Sequence, residues 1–166
     1  MAKRVFFSFY YEQDVWRATN VRNAGKVDAR AAAGWTDASL WEEANRKGRT
    51  EIERLIDAGL KGTSVTAVLI GSETASRPWV TYEIEKSIER GNGLLGVRIH
   101  ALKDQDRHRS RRGGVPEALN GRGYRVYDWS RSSFARWVEY AALDADKPCL
   151  SHDRKHCFMC RWLWWW

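Results

Sequence analysis

Two adjacent stretches, SVTAVLI at residues 64–70 and SRPWVTYEIEKSIER at residues 76–90, are the most regular part of this sequence. The first is short and rich in β-branched residues, and its apolar residues include the unbroken run at positions 67–70. This pattern predicts a strand buried on both faces, as in a parallel sheet covered by helices. The second places Val80, Ile84 and Ile88 at four-residue steps, which predicts an amphipathic helix. Together they indicate one strand–helix unit of an α/β fold.

The same alternation of strand and helix patterns extends in both directions from this unit. Further strands are predicted at residues 4–9, 94–100 and 123–128, and residues 35–40 form either a short strand or an extended loop. Further helices are predicted at residues 13–23, 49–60 and 132–143, the first carrying Val15, Trp16, Thr19 and Val21 toward the core. Strands separated by helices are typical of a three-layer α/β fold. We therefore expect a flavodoxin-like domain over residues 1–145, with a central, mainly parallel five-stranded sheet.

Composition limits the class of protein. The chain has 166 residues, of which 43% are hydrophobic, so a single globular domain with a sizeable core is expected. Neither a membrane-spanning run nor a secretory signal is visible, so we expect a cytoplasmic protein without a membrane partner. The formal net charge is +7, and the segment DQDRHRSRR at residues 104–112 holds four arginines against two aspartates. A basic loop of this kind can bind nucleic acid or an anionic dinucleotide, or it can simply be exposed to solvent. We do not expect a nucleic-acid partner.

The C-terminal tail, residues 146–166, differs from the rest of the chain. All three cysteines lie there, at Cys149, Cys157 and Cys160, and an odd number confined to a tail argues against a disulfide framework. With His152 they could offer four zinc ligands, but only four residues separate His152 from Cys157, and we expect no metal site. The chain ends in RWLWWW, for which the sequence suggests no clear role.

Known short catalytic motifs are missing, and one aromatic–carboxylate pair stands out. There is no phosphate-binding glycine loop, no HExxH pair and no GxSxG elbow. Trp79 and Glu83 are four residues apart and therefore share a face of the predicted helix. An aromatic ring beside a carboxylate suits a planar, cationic leaving group. Spacing alone leaves two alternatives open: Glu83 as an exposed helix acid, and Trp79 as a core residue.

A resemblance to a known family bears on this choice. The segments RVFFSFYYEQD (4–14), DASLWE (37–42), TSVTAVLIGSETASRPWVTYEIEKSIERGNGLLGVRIH (63–100) and YRVYDW (124–129) resemble the TIR-like family of the Thoeris defence protein ThsB. The likeness covers residues 3–145 in order and spacing, and is most specific over residues 63–100. The loop around residues 113–123 is shorter than is usual in that family.

The resemblance implies a function. Members of this family consume NAD+, and a glutamate in the WVxxEI helix, Glu83 here, is the essential carboxylate of similar enzymes. Members sense a phage trigger and make a cyclic ADP-ribose isomer, which activates a separate ThsA-type effector. NAD+ would be the substrate, and no cofactor is expected. TIR domains commonly self-associate, so a homo-oligomer is compatible with the enzyme, and a non-catalytic scaffold that acts by self-association is the alternative to it.

Position and resemblance together suggest the residues around the substrate. Ser8, Phe9 and Tyr10 fall at the end of the first strand, in the loop that contacts the dinucleotide in related TIR enzymes, and an aromatic ring there could stack on a base. The other expected substrate contacts are Asp37 and Ser39, in the DASLW segment, and Trp79, as a wall of the pocket. The carboxylate would stabilise the positive charge that builds on the ribose as nicotinamide leaves.

Overall fold

The computed structural model describes residues 4–24 and 46–145. The strands of this part are β1 (Val5–Ser8), β2 (Val65–Ile70), β3 (Gly93–Arg98) and β4 (Val126–Asp128). The helices are α1 (Tyr11–Ala24), α2 (Arg49–Leu60), α3 (Pro78–Glu89), the short α4 (Glu117–Asn120) and α5 (Phe134–Ala145), with a 3-10 turn at Thr74–Ser76. None of the helices within these residues is both long and apolar enough to cross a bilayer.

The four strands form one parallel sheet in the order β1-β2-β3-β4. This is the order of a flavodoxin-like sheet without its second strand, which would lie outside β1. The candidate for that strand, residues 35–40, lies outside the described residues. The predicted parallel α/β architecture is therefore confirmed, with four of the five predicted strands in the part of the chain that the structure describes.

Helices cover both faces of the sheet, because each strand sends alternate side chains to opposite sides. On one face Val5 and Phe7 of β1 join a core with Val21 of α1 and Phe134 of α5. On the other face Phe6 of β1 packs against α2, while β2 and β3 pack against α3 and α4. β2 is buried at every position, as its continuous apolar sequence predicts.

The prediction for the core face of α1 was partly wrong. Val15 and Trp16 are 37% and 50% exposed, whereas Val21 is buried as expected. The buried positions of the helix are Asp14, Arg17, Ala18 and Val21, which follow the three- and four-residue steps of one helix face. Polar residues occupy half of this face, so a reading based on apolar residues alone selected the wrong side.

Arg17 makes the burial of this polar face possible. Its guanidinium is enclosed by hydrogen bonds to Asp14 Oδ1 (3.2 Å), Asp104 Oδ2 (3.0 Å) and the carbonyl oxygens of Leu102 (3.0 Å) and His108 (3.2 Å). Burial raises the pKa of Asp14, and the charge of Arg17 opposes that rise. The guanidinium thus fastens α1 to the long loop that follows β3.

Two glycines let the loops at this edge of the sheet touch. A Cβ atom on Gly71, just after β2, would lie 2.0 Å from Asp14 Oδ2. A Cβ atom on Gly113, in the loop after β3, would lie 2.0 Å from the Gly71 carbonyl oxygen. Any larger residue at either position would push these segments apart. The start of α1 and the loops after β2 and β3 therefore form one contiguous layer.

We expect Arg17→Met to lower the free energy of unfolding by about 3 kcal/mol, because it leaves Asp14 buried without its counter-charge. Chemical denaturation of the full-length protein measures the change. Arg22→Met on the same helix, which has no such network within residues 4–24 and 46–145, is the matched control and should cost less than about 0.5 kcal/mol. A similar small loss for both variants would show that Arg17 does not fasten the loop.

Candidate active site

The candidate site lies at the carboxyl edge of the sheet, between β1 and β2. From β1 the chain continues into α1 on one face, and from β2 it continues into α3 on the opposite face. Ligands of open α/β sheets bind at such a switch point, where the departing chains leave a crevice. The two connections contact each other through Gln13, which hydrogen-bonds Glu73 (3.0 Å) and Ser72 (3.3 Å). The loops that follow β1 and β2 therefore meet at this crevice.

Glu83 lies beneath this crevice, in the second turn of α3. Its Oε2 atom accepts a hydrogen bond of 2.5 Å from the hydroxyl of Ser8, the last residue of β1. Ser8 reaches it because it shares the α3-facing side of β1 with Phe6, two residues earlier. Glu83 and Ser8 are 1% and 0% exposed. The alternative of an exposed helix acid is therefore wrong, and two residues singled out from the sequence meet.

Burial dominates the electrostatics of Glu83. Desolvation raises the pKa of its carboxyl group from 4.5 to about 8, and the hydrogen bond from Ser8 lowers it only partly. No lysine or arginine among the described residues forms an ion pair with Glu83. At neutral pH the carboxyl group is mainly protonated, and a nearby positive charge would favour its ionisation. Such a group suits a ligand that brings or develops positive charge.

Trp79 is one helical turn from Glu83 and packs against a core cluster. It is half-buried with Phe6 and Ile56, and its ring meets Tyr82 edge-on, with ring centroids 5.8 Å apart. The structure thus supports a packing role for Trp79, and its role as a wall of the substrate pocket stays a prediction.

The aromatic residues after β1 have different surroundings. Phe9 is half-buried and packs against the core beneath α1 and α5. Tyr10 lies at the rim of the crevice, where the guanidinium carbon of Arg77 sits 3.7 Å from the centre of its ring. Arg77 in turn forms an ion pair with Glu73. One face of Tyr10 is therefore covered by Arg77, and a base could stack there only after that cation moves.

Several residues of this region were not anticipated from the sequence. Asp14, Arg17 and Arg77 organise the loops, and the only signal for the first two was their three-residue spacing within a predicted helix. Asp37 and Ser39 lie outside the described residues, as does the tail with its cysteines. Within residues 4–24 and 46–145, no cluster of His, Cys, Asp or Glu side chains has the arrangement of a metal site.

Fold and site define a TIR-like α/β domain with a buried carboxylate at its switch point. Residues 6–104 match the family described as "Thoeris protein ThsB, TIR-like domain". The chain is 43% identical over 153 residues to a protein of Bacillus cereus (strain MSX-D12) named "Putative cyclic ADP-D-ribose synthase ThsB1", an alignment that covers 86% of this chain and 78% of that relative. The chain therefore belongs to the ThsB family of Thoeris TIR-like proteins.

The raised pKa of Glu83 predicts how stability depends on pH. Between about pH 4.5 and 8 the folded protein keeps a proton that the unfolded chain has released, so this group makes stability fall as pH rises through that window. The slope approaches about 1.4 kcal/mol per pH unit. Glu83→Gln removes this loss and should raise the melting temperature increasingly from pH 5 to about pH 8.

Melting curves across this range, recorded beside Glu85→Gln, test the prediction. Glu85 is exposed on the same helix, and its substitution should leave the pH dependence of the wild type unchanged. A constant difference between Glu83→Gln and wild type at every pH would contradict a pKa raised by burial.

Proposed function

We propose that this chain cleaves NAD+ at the nicotinamide–ribose bond and closes the product into a cyclic ADP-ribose isomer, with Glu83 as the catalytic carboxylate. The observation that carries the proposal is a carboxyl group buried at the switch point of a ThsB-family domain, held by Ser8. The printed name of the Bacillus cereus relative, a cyclic ADP-D-ribose synthase, supports the reaction class.

The chemistry requires one acid that responds to positive charge. NAD+ carries its positive charge on the nicotinamide ring, and its arrival beside Glu83 lowers the pKa of the carboxyl group and favours the carboxylate. As the bond to nicotinamide breaks, positive charge moves to the ribose, where a carboxylate in a dry site stabilises it. Nicotinamide leaves as a neutral molecule, so no second acid is needed to protonate it.

The fate of the ribose depends on which nucleophile reaches it. Attack by a group of the same molecule gives a cyclic product, whereas attack by water gives ADP-ribose. Exclusion of water from the crevice would favour cyclisation. Ser8, Phe9, Tyr10 and Trp79, with Asp37 and Ser39 from the segment outside the described residues, are the proposed substrate contacts.

The cellular role follows from the family. We propose that the protein acts in the cytoplasm, that a phage component triggers it, and that its cyclic product activates a ThsA-type effector. Self-association is part of the proposal, because the TIR-like domains that this chain resembles commonly self-associate. NAD+ serves as substrate, and no cofactor or metal takes part.

We expect Glu83→Gln to abolish the cyclic product in infected cells. The amide keeps the shape of the side chain but cannot carry the negative charge that the transition state requires. Mass spectrometry of NAD+ products, before and after infection, compares wild type with Glu83→Gln and the matched exposed control Glu85→Gln. Identical product profiles in all three, with the proteins present at equal levels, would contradict the proposed catalytic activity. The remaining interpretation would be a non-catalytic scaffold that acts by self-association.

Ser8→Ala should raise the pKa of the Glu83 carboxyl group further, because it removes the donor that favours the carboxylate. Ser8→Thr keeps a hydroxyl and should preserve the wild-type value. A carbon-13 NMR titration of the labelled glutamate side chains reads this pKa without any need for turnover. Equal titration of wild type and Ser8→Ala would show that the hydrogen bond does not tune Glu83.

A further inference from the structure

The loop after β3 carries a group of cations that the active-site argument does not use. Four arginines lie exposed within residues 104–112, which we term the arginine loop: Arg107, Arg109, Arg111 and Arg112. Arg112 makes one long ion pair, 3.7 Å to Asp128. The other three have no ion pair with any residue in the described part of the chain. Several unpaired guanidinium groups on one loop form a binding surface for an anion.

The arginine loop is held in a fixed shape before any ligand binds. Asp104 accepts hydrogen bonds through Oδ1 from the backbone N–H groups of Asp106 (3.0 Å) and His108 (2.8 Å). Its Oδ2 atom accepts a hydrogen bond from the buried guanidinium of Arg17. Within this turn the backbone of Arg107 has a φ of 65°, a left-handed conformation that residues other than glycine rarely adopt. A preformed loop loses little conformational freedom on binding, which favours affinity.

Polar atoms at the base of this loop also have no partner. Arg98 Nε, His100 Nδ1 and Ser110 Oγ are buried and make no hydrogen bond within the described structure. The two sides of the loop meet there, because the Ser110 N–H donates to the His100 carbonyl oxygen at 3.1 Å. Buried polar groups are nearly always satisfied, so these unpaired polar atoms indicate that a further polar group completes the base of the loop.

The arginine loop lies within reach of the candidate active site. β3 is two strands from β1, and two strand spacings are about 10 Å. Gly113, just after the loop, contacts Gly71 at the crevice. In NAD+ the diphosphate is separated from the scissile bond by a single ribose. A dinucleotide with its nicotinamide ribose at Glu83 can therefore extend along the carboxyl edge toward β3.

We propose that the arginine loop is the diphosphate-binding subsite of this protein, with Arg109 and Arg111 as its cationic contacts. This rests on the proposed function, because it takes NAD+ as the ligand. Guanidinium groups bind phosphate oxygens through charge-assisted, paired hydrogen bonds, which fix orientation as well as add affinity. The loop thereby sets where the nicotinamide ribose falls relative to Glu83, and it selects dinucleotides over uncharged nucleosides.

Calorimetric titration of the full-length protein tests the subsite with NAD+ and with inorganic pyrophosphate. All proteins carry Glu83→Gln, so that NAD+ is not consumed. The loop variant adds Arg109→Gln and Arg111→Gln. The control adds Arg4→Gln and Arg122→Gln, which remove the same charge from exposed positions at the opposite, amino edge of the sheet. Circular dichroism verifies that each variant is folded.

The loop variant should bind both ligands about tenfold more weakly than its parent, and the control within about twofold. Equal NAD+ affinity in the loop and control variants would overturn the proposal, as would failure of the parent to bind NAD+. A short single-stranded DNA that binds through the loop, while NAD+ affinity stays unchanged, would assign the loop to nucleic acid instead. If NAD+ binds through the arginine loop but the wild-type protein never cleaves NAD+, the subsite is supported and the proposed enzymatic activity is wrong.

Discussion

The arrangement of this domain depends on a single guanidinium buried at the carboxyl edge of its sheet. Arg17 projects from α1 into the space where an apolar side chain would ordinarily sit, and it binds a carboxylate of its own helix and three groups of a loop more than eighty positions further along the chain. A buried charge is tolerated only when such partners surround it. The loops beside the crevice are therefore held in place by directional hydrogen bonds and ion pairs as well as by hydrophobic packing.

Glu83 represents the opposite solution to the same problem of burying a polar group. No cation of the described residues forms an ion pair with it, and it avoids the cost of a buried charge by holding a proton. As a result, the folded protein loses stability as the pH rises from about 4.5 to 8. The same carboxyl group can ionise when a positively charged ligand binds beside it. Arg17 thus fixes the positions of the loops, whereas the charge of Glu83 depends on the ligand that binds beside it.

The sequence predicted the architecture well because the signals there were apolar and repetitive. The continuous apolar run of β2 and the four-residue steps of α3 admit one interpretation each. The face of α1 was predicted less well, because Asp14 and Arg17 resemble surface residues until their distant partners are known. The burial of Glu83 likewise depends on Ser8. Spacing alone favoured an exposed acid, and the family resemblance was needed to favour a catalytic role for Glu83. Polar contacts between distant segments are what periodicity cannot show.

The hydrogen bond between Ser8 and Glu83 joins positions 75 residues apart, and it exists only when β1 lies parallel to β2. Parallel strands cannot pair as a local hairpin, so this contact requires the intervening chain to fold back across the sheet. The sequence of the helix that carries Glu83 therefore does not by itself create the buried environment of this carboxyl group. That environment belongs to the assembled sheet, in which the first strand supplies the hydroxyl group.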